Sequence, residues 1–260
     1  MEQCTLKGFE ENNLFGIMLN YRSNKSNFFY YLVTPELSPL ENKAQINKIS
    51  FFLRSFIYIE NDENILHIGF NYKEIIRNQY DADKYSYVSI TDTPFFLRPY
   101  SLSRTYYTSL PNYRVIGYEI ISILKSLYIQ SEITFIKAGW KDFNAELYKS
   151  IYMQVSYILT GEKHNYNYKT GFVKNPNPLS NKSCIEIAAR YSFNDITSKG
   201  SLIRGICKTD SKKHTLNLGI NWYLNTNIKI QINYAYEMFN YRLMEDKKIH
   251  NLGVGIRFSF

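Results

Sequence analysis

Residues 251–260, "NLGVGIRFSF", alternate without a break, with Leu252, Val254, Ile256, Phe258 and Phe260 on one side and Asn251, Gly253, Gly255, Arg257 and Ser259 on the other. Successive side chains of a strand point to opposite faces, so the segment must form a ribbon with one apolar face and one small or polar face that carries a charge. A soluble sandwich tapers into a polar tail at its terminus. A barrel wall in an outer membrane instead meets lipid on one side and an aqueous lumen on the other to its last strand, and this ribbon has that pattern.

The preceding segments repeat the logic. In 214–225, "HTLNLGINWYLN", the apolar set is Leu216, Leu218, Ile220, Trp222 and Leu224, and in 227–239, "NIKIQINYAYEMF", it is Ile228, Ile230, Ile232, Tyr234, Tyr236 and Met238. Asn225-Thr226 between them reads as a tight hairpin with a residue tolerant of positive φ. Applied to the whole chain, the period-two rule predicts about eleven strands. They lie at 13–22, 27–36, 47–59, 65–75, 114–124, 127–139, 148–160, 184–195, 213–224, 227–239 and 250–260. No segment keeps a helical period over the length of a globular helix, so the fold class is all-β and antiparallel.

The connections sort by side. With Phe260 at the periplasmic end, that side receives "NKSN", "ENDEN", Lys125-Ser126, 161–183 and Asn225-Thr226. The other side receives 37–46, 76–113, 140–147, 196–212 and 240–249. Short turns on one side and longer loops on the other is the asymmetry of outer-membrane barrels, and a sandwich has no reason to show it. The segment 161–183 is the exception, too long for its side. Most of the strands also reach the length of about nine to eleven residues that a tilted membrane-spanning strand needs.

Composition fits this architecture. Aromatics make up 17% of the chain, with 24 Tyr and 17 Phe against 2 Trp, a loading that suits strands and membrane boundaries, although an AT-rich genome would also enrich Tyr. Mean hydropathy is −0.33, as expected when half of each strand is polar. The net charge of +8 raises nucleic acid as a partner, but the bases are dispersed among strands with no recognition helix or aromatic RNA-binding motif, so no nucleic acid is expected. Cys4, Cys184 and Cys207 lack metal spacing. Cys184 and Cys207 could bridge in an oxidising compartment, and isolated thiols are the favoured reading. No metal, cofactor or enzymatic chemistry is expected, because His67, His164, His214 and His250 are scattered and no GxSxG, HExxH or CxxC occurs.

Several segments, in order, carry a resemblance. "YILTGE" (157–162), "IEIAARYSFND" (185–195), "LNLGINWYLN" (216–225) and the aromatic-ended last strand are similar to the C-terminal portion of the phosphate-selective porin O and P family, with Ile187 and Ile220 as aliphatic variants. "ILHIGFNY" (65–72) and "YRVIGYEI" (113–120) resemble family strands less specifically. The resemblance implies a sixteen-stranded, homotrimeric channel in a bacterial outer membrane that passes small anions through a basic lumen. About eleven of those strands are present. The expectation is therefore an antiparallel transmembrane β-barrel of outer-membrane porin type that is incomplete, with 1–12 as an N-terminal extension and 13–260 as the C-terminal part of the barrel domain. A signal peptide, also not visible, would precede Met1 with the missing strands.

If the aliphatic face meets lipid, charges belong on the opposite face. Arg22, Arg54, Lys73, Glu132, Glu186, Arg190, Lys229, Glu237 and Arg257 all fall in the polar register. Placing Lys or Arg on the lipid face near the midplane costs about 2–4 kcal/mol, so this sorting is what a membrane demands. Arg54, Arg190, Lys229 and Arg257 are the candidate anion-binding, lumen-lining bases, joined by Arg98 and Arg104 if 76–113 folds inward as a constriction. The expected function is passive diffusion of small, phosphate-like anions across an outer-membrane lipid bilayer. The alternatives are a structural or adhesive barrel that displays its loops, and an inactive truncated porin remnant.

Overall fold

The computed structural model describes residues 16–23, 25–33, 48–61, 64–77, 112–140, 143–179, 183–195, 211–241 and 245–258, with short strand segments at 5–7, 37–38, 45–46, 86–91 and 105–107. Eleven strands form one antiparallel sheet in unbroken chain order. They are β1 (Gly16–Arg22), β2 (Ser26–Val33), β3 (Lys48–Asn61), β4 (Asn64–Arg77), β5 (Asn112–Leu124) and β6 (Leu127–Trp140), followed by β7 (Phe143–Ile158), β8 (Cys184–Asp195), β9 (Ser211–Tyr223), β10 (Ile228–Tyr241) and β11 (Lys247–Phe258). Each pairs with its sequence neighbours, as a meander of hairpins does. Among the described residues no ladder joins β1 to β11, so the sheet is not closed.

Register carries the alternation across the sheet. Ile187, Ile220, Ile232 and Val254 occupy one row on one face, whereas Gln130, Gln154, Arg190, Asn217 and Ala235 occupy one row on the other. The first face is open, with Leu218, Ile220, Ile232, Leu252, Val254 and Ile256 all exposed. The second is crowded. Arg190, Thr215, Asn217 and Glu237 are almost fully buried on it. A single sheet shows this contrast when it bends toward its polar side, crowding those side chains and splaying the apolar ones outward. Among the described residues no second sheet covers the apolar side chains, and no helix is long and apolar enough to cross a membrane.

Two local expectations are corrected. The strand placed at 148–160 runs from Phe143 to Ile158, so the connection expected at 140–147 shrinks to 141–142. The ladder continues with Ala138 opposite Glu146 and Trp140 opposite Phe143, with a register shift between Ala138 and Trp140. The turn at Asn225 does not use positive φ. Asn225 Oδ1 instead accepts hydrogen bonds from the backbone N–H of Asn227 and of Ile228, each at 2.8 Å, an Asx turn. The left-handed residue lies at the Lys125-Ser126 hairpin, where Lys125 has φ of 55°. Cys184 is a free, buried thiol, in line with the favoured reading of isolated thiols.

Small ladders lie outside the main sheet: Leu37–Ser38 pairs with Gln45–Ile46, Ser86–Thr91 pairs with both Thr5–Lys7 and Thr105–Tyr107, and Asn165–Asn167 pairs with Phe172–Lys174.

Candidate functional site

The inward face is the candidate site, and its charges are stacked in rows. Two residues along a strand return to the same face, so successive inward rows are about 7 Å apart. Arg54 and Lys213 occupy one row. The next holds Glu119, Glu132 and Glu237. Arg190 stands in the third. Further along come Glu186 and then Lys229 with Arg257. Bases and carboxylates thus alternate along the strand direction.

Adjacent rows bond diagonally. Arg54 Nη2 donates to Glu119 Oε1 at 2.8 Å across the strand between them. Lys213 Nζ lies 2.7 Å from Glu237 Oε1, with side-chain exposures of 1% and 0%. The crossing between Arg54 and Glu119 depends on Gly69, the register partner of both Phe56 and Glu119, which leaves room for the carboxylate. His67 Nε2 also approaches Glu119 Oε1, at 3.2 Å. Aromatic faces cradle the remaining cations: the Arg190 guanidinium lies 3.9 Å from the Tyr152 ring centroid and Lys229 Nζ 5.3 Å from that of Tyr223.

The segment that was too long for its side explains itself here. Residues 161–179 fold back against the inward face, with a small hairpin of Asn165–Asn167 and Phe172–Lys174. Its turn is set by Asn167, whose carbonyl accepts from the Gly171 N–H at 2.7 Å, and by Gly171 at φ +70°. Tyr166 and Val173 pack on Phe56, Tyr58, Ile65, Ile121, Ile123 and Tyr128. Phe172 lies under Arg54, 3.9 Å from the guanidinium carbon to the ring centroid. Polar contacts complete the seat. The Tyr166 hydroxyl is 2.5 Å from His67 Nδ1, Tyr168 donates to Glu60 at 2.5 Å, and Ser126 Oγ donates to the Glu162 carbonyl at 2.7 Å.

Between this segment and the wall lies a cavity of about 380 Å³, lined among others by Gln130, Gln154, His164, Lys174, Glu186 and Lys229. Glu186 is already engaged there: Asn221 Nδ2 donates to Oε2 at 2.9 Å and the Tyr223 hydroxyl at 2.8 Å. Burial pushes the His164 imidazole below its usual range, against the opposing pull of the Glu186 charge. Burial works to raise Glu162, but hydrogen bonds from Thr160 and from the backbone of Glu162 and Leu179 hold its carboxyl below the usual range.

Of the bases expected from sequence, Arg54, Arg190 and Lys229 are buried on the inward face, and Arg257 is in the inward register but exposed on the edge strand β11. Lys229 and Arg257 are register partners, whereas Arg54 and Arg190 stand apart. Arg98 and Arg104 lie outside the described residues, as does the side chain of Arg22. Glu119, Lys213, His67, His164 and Lys174 were missed. Lys213 sits at the first turn of a strand where a run of polar residues hid the parity. Glu119 and His67 share an inward face with Ile121, Ile123 and Ile65, and that apolar inward patch was the signal that something covers it.

Residues 103–260 match the family described as phosphate-selective porin O and P. Among curated proteins none matches. Among solved structures the chain is similar to the crystal structure of the beta domain of the Bordetella autotransporter Brka, with TM-score 0.35 and 10% identity over 94% of this chain and 88% of that one.

Proposed function

The chain belongs to the phosphate-selective porin O and P family, an outer-membrane β-barrel family, and from that premise we propose that it passes small anions by passive diffusion along its inward face, with residues 161–179 narrowing the path. The observation that carries this reading is the cavity beside that segment, where Lys174 and Lys229 face one carboxylate, Glu186, whose oxygen is already held by Asn221 and Tyr223. A phosphate-like anion entering there would meet two ammonium groups and the amide donors of Gln130 and Gln154, which replace part of its hydration shell. Arg190, Arg54 and Arg257 extend the row of donors along the strands, and their planar forks suit phosphate oxygens. The paired carboxylates Glu119 and Glu237 offset two of the bases, so the preference for anions is modest. Assembly as a homotrimer in a bacterial outer membrane belongs to the same proposal.

Reversal potentials in a salt gradient across a planar bilayer test it. Anions should permeate better than cations, and Lys174→Ala with Lys229→Ala should reduce that preference more than Lys248→Ala, which lies on the outward face. Cation preference, or no effect of the inward pair, contradicts the anion pathway and leaves the fold standing.

A further inference from the structure

Charge on the outward face is confined to one end of the sheet. Arg114 on β5 and Lys137 on β6 are register partners there. Lys149 on β7 pairs with Asp195 on β8, which pairs with Lys212 on β9. Lys248 on β11 pairs with Met238, the register partner of His214 on β9. All five bases are exposed. Among the described residues two carboxylates share this band, Glu74, which accepts from Arg114 Nη2 at 2.6 Å, and Asp195, 3.9 Å from Lys212 Nζ. The opposite end of the same face presents Leu124, Tyr157, Trp222 and Phe258 and, among the described residues, no base on the outward side of any strand. The basic end is the one that carries the longer connections 34–47, 78–111 and 196–210, the external end of an outer-membrane barrel.

Beneath the bases lies a row of polar-tipped rings. The Tyr191 hydroxyl is 2.8 Å from His214 Nδ1, with the Phe193 ring 4.8 Å from the imidazole, and the Tyr234 hydroxyl is 2.8 Å from His250 Nδ1, with Tyr236 at 4.9 Å. Such amphipathic rings sit where hydrocarbon gives way to headgroups. Below them an apolar groove of about 420 Å³ opens between Val155, Tyr157, Ile187, Leu218, Ile220 and Tyr234. Lys149 is six residues from Val155 and Lys212 six from Leu218, about 20 Å along each strand. On strands tilted by about 45° that distance is about 14 Å along the membrane normal, which carries an acyl chain from headgroup level toward the middle of a hydrocarbon core about 30 Å thick.

We propose that this end of the outward face is a docking surface for a phosphorylated glycolipid of the outer leaflet, its phosphates against Lys137, Lys149 and Lys212 and an acyl chain in the groove. Three features converge on one amphiphile: bases grouped in successive rows at one end of the face, polar-tipped rings adjoining them, and an apolar channel continuing inward. A soluble anion would use the bases but has no need of the groove. A neutral lipid would use the groove and leave an unbalanced row of cations facing the headgroups.

Native mass spectrometry of the full chain refolded in detergent tests this, with a bisphosphorylated, hexa-acylated diglucosamine lipid, the same lipid stripped of phosphate, and inorganic phosphate as probes. The phosphorylated lipid should bind about tenfold or more tightly than the stripped one, and inorganic phosphate should not displace it. Lys137→Gln, Lys149→Gln and Lys212→Gln together should weaken binding about tenfold, whereas the matching Lys→Arg triple variant and Lys25→Gln at the opposite end should bind as the parent does. Equal affinity for the two lipids, displacement by inorganic phosphate, or an Arg triple variant as weak as the Gln one overturns the proposal. Ion selectivity, set by the inward face, should be the same in all these variants, which separates this result from the fate of the anion pathway.

Discussion

Gly69 makes room for Glu119: a Cβ at Gly69 would fall 2.5 Å from Glu119 Oε1 and 2.6 Å from its Cγ. The carboxylate lies over β4 because that strand has no side chain at this point, and from there it reaches His67 on the same strand and Arg54 on β3 beyond it. Gly69→Ala should push Glu119 out of this position and lower the free energy of unfolding by about 1–3 kcal/mol. Denaturant titration in detergent would read the change, and an unaltered midpoint would mean that the close approach does not hold the carboxylate in place.

A second glycine controls the inner hairpin. Gly171 combines φ of +70° with a backbone so close to the wall that a Cβ would lie 2.9 Å from both His67 Cε1 and Phe56 Cε1. Gly171→Val should therefore lift residues 165–174 from their seat. Single-channel conductance should rise in that variant, because the segment occupies the inward face. Unchanged conductance would show that the hairpin does not restrict the path.

The Lys213–Glu237 pair is sealed from solvent, so removing one member leaves a buried charge without its counterion. Lys213→Met alone should cost about 3–5 kcal/mol of stability, and Lys213→Met with Glu237→Leu should recover most of it. A double variant whose loss equals the sum of the two single losses would show that the two residues act independently. Equilibrium unfolding of the four proteins in the cycle decides between them.

His164 gives the seated segment a pH dependence. Burial lowers its pKa from about 6.5, so the unfolded chain takes up a proton at higher pH than the folded one does. Its contribution is fully present above pH of about 6.5 and is lost as pH falls through the depressed value. Protonation places a charge on a buried imidazole beside Tyr128 and Ser156, and Glu186 compensates only in part. Conductance noise should therefore grow as pH falls below the ordinary histidine range of about 6.5 and become pH-insensitive in His164→Asn. Identical pH profiles for the two proteins would remove His164 as the cause.

Strand order and face were legible because a period of two leaves no choice of face once one residue is placed. That is why Arg54, Arg190 and Lys229 were assigned inward from sequence. The in-folded segment was not legible, since its seat is made by long-range contacts such as Tyr166 with His67 and Phe172 with Arg54, which no local pattern encodes. Its trace was present nonetheless. In β3 to β6, Phe56, Ile65, Ile121 and Ile123 put apolar side chains on the face that should have been polar, which makes sense only when another part of the chain covers them. The turn at Asn225 was placed correctly but given the wrong geometry, because Asn serves hairpins both by tolerating positive φ and by accepting backbone N–H groups with its side chain.

The account stands on the outward face of the sheet meeting lipid and the inward face meeting water, and β9 allows the most direct measurement. Spin labels placed one at a time at residues 216–221 in the protein reconstituted into bilayers report collisions with oxygen, which partitions into lipid, and with a water-soluble nickel chelate. The labels at Leu216, Leu218 and Ile220 should collide with oxygen and not with the chelate, and those at Asn217, Gly219 and Asn221 should be shielded from oxygen, giving a period of two along the strand. Equal oxygen access at all six positions, or chelate access at the even ones, would contradict a membrane-spanning wall.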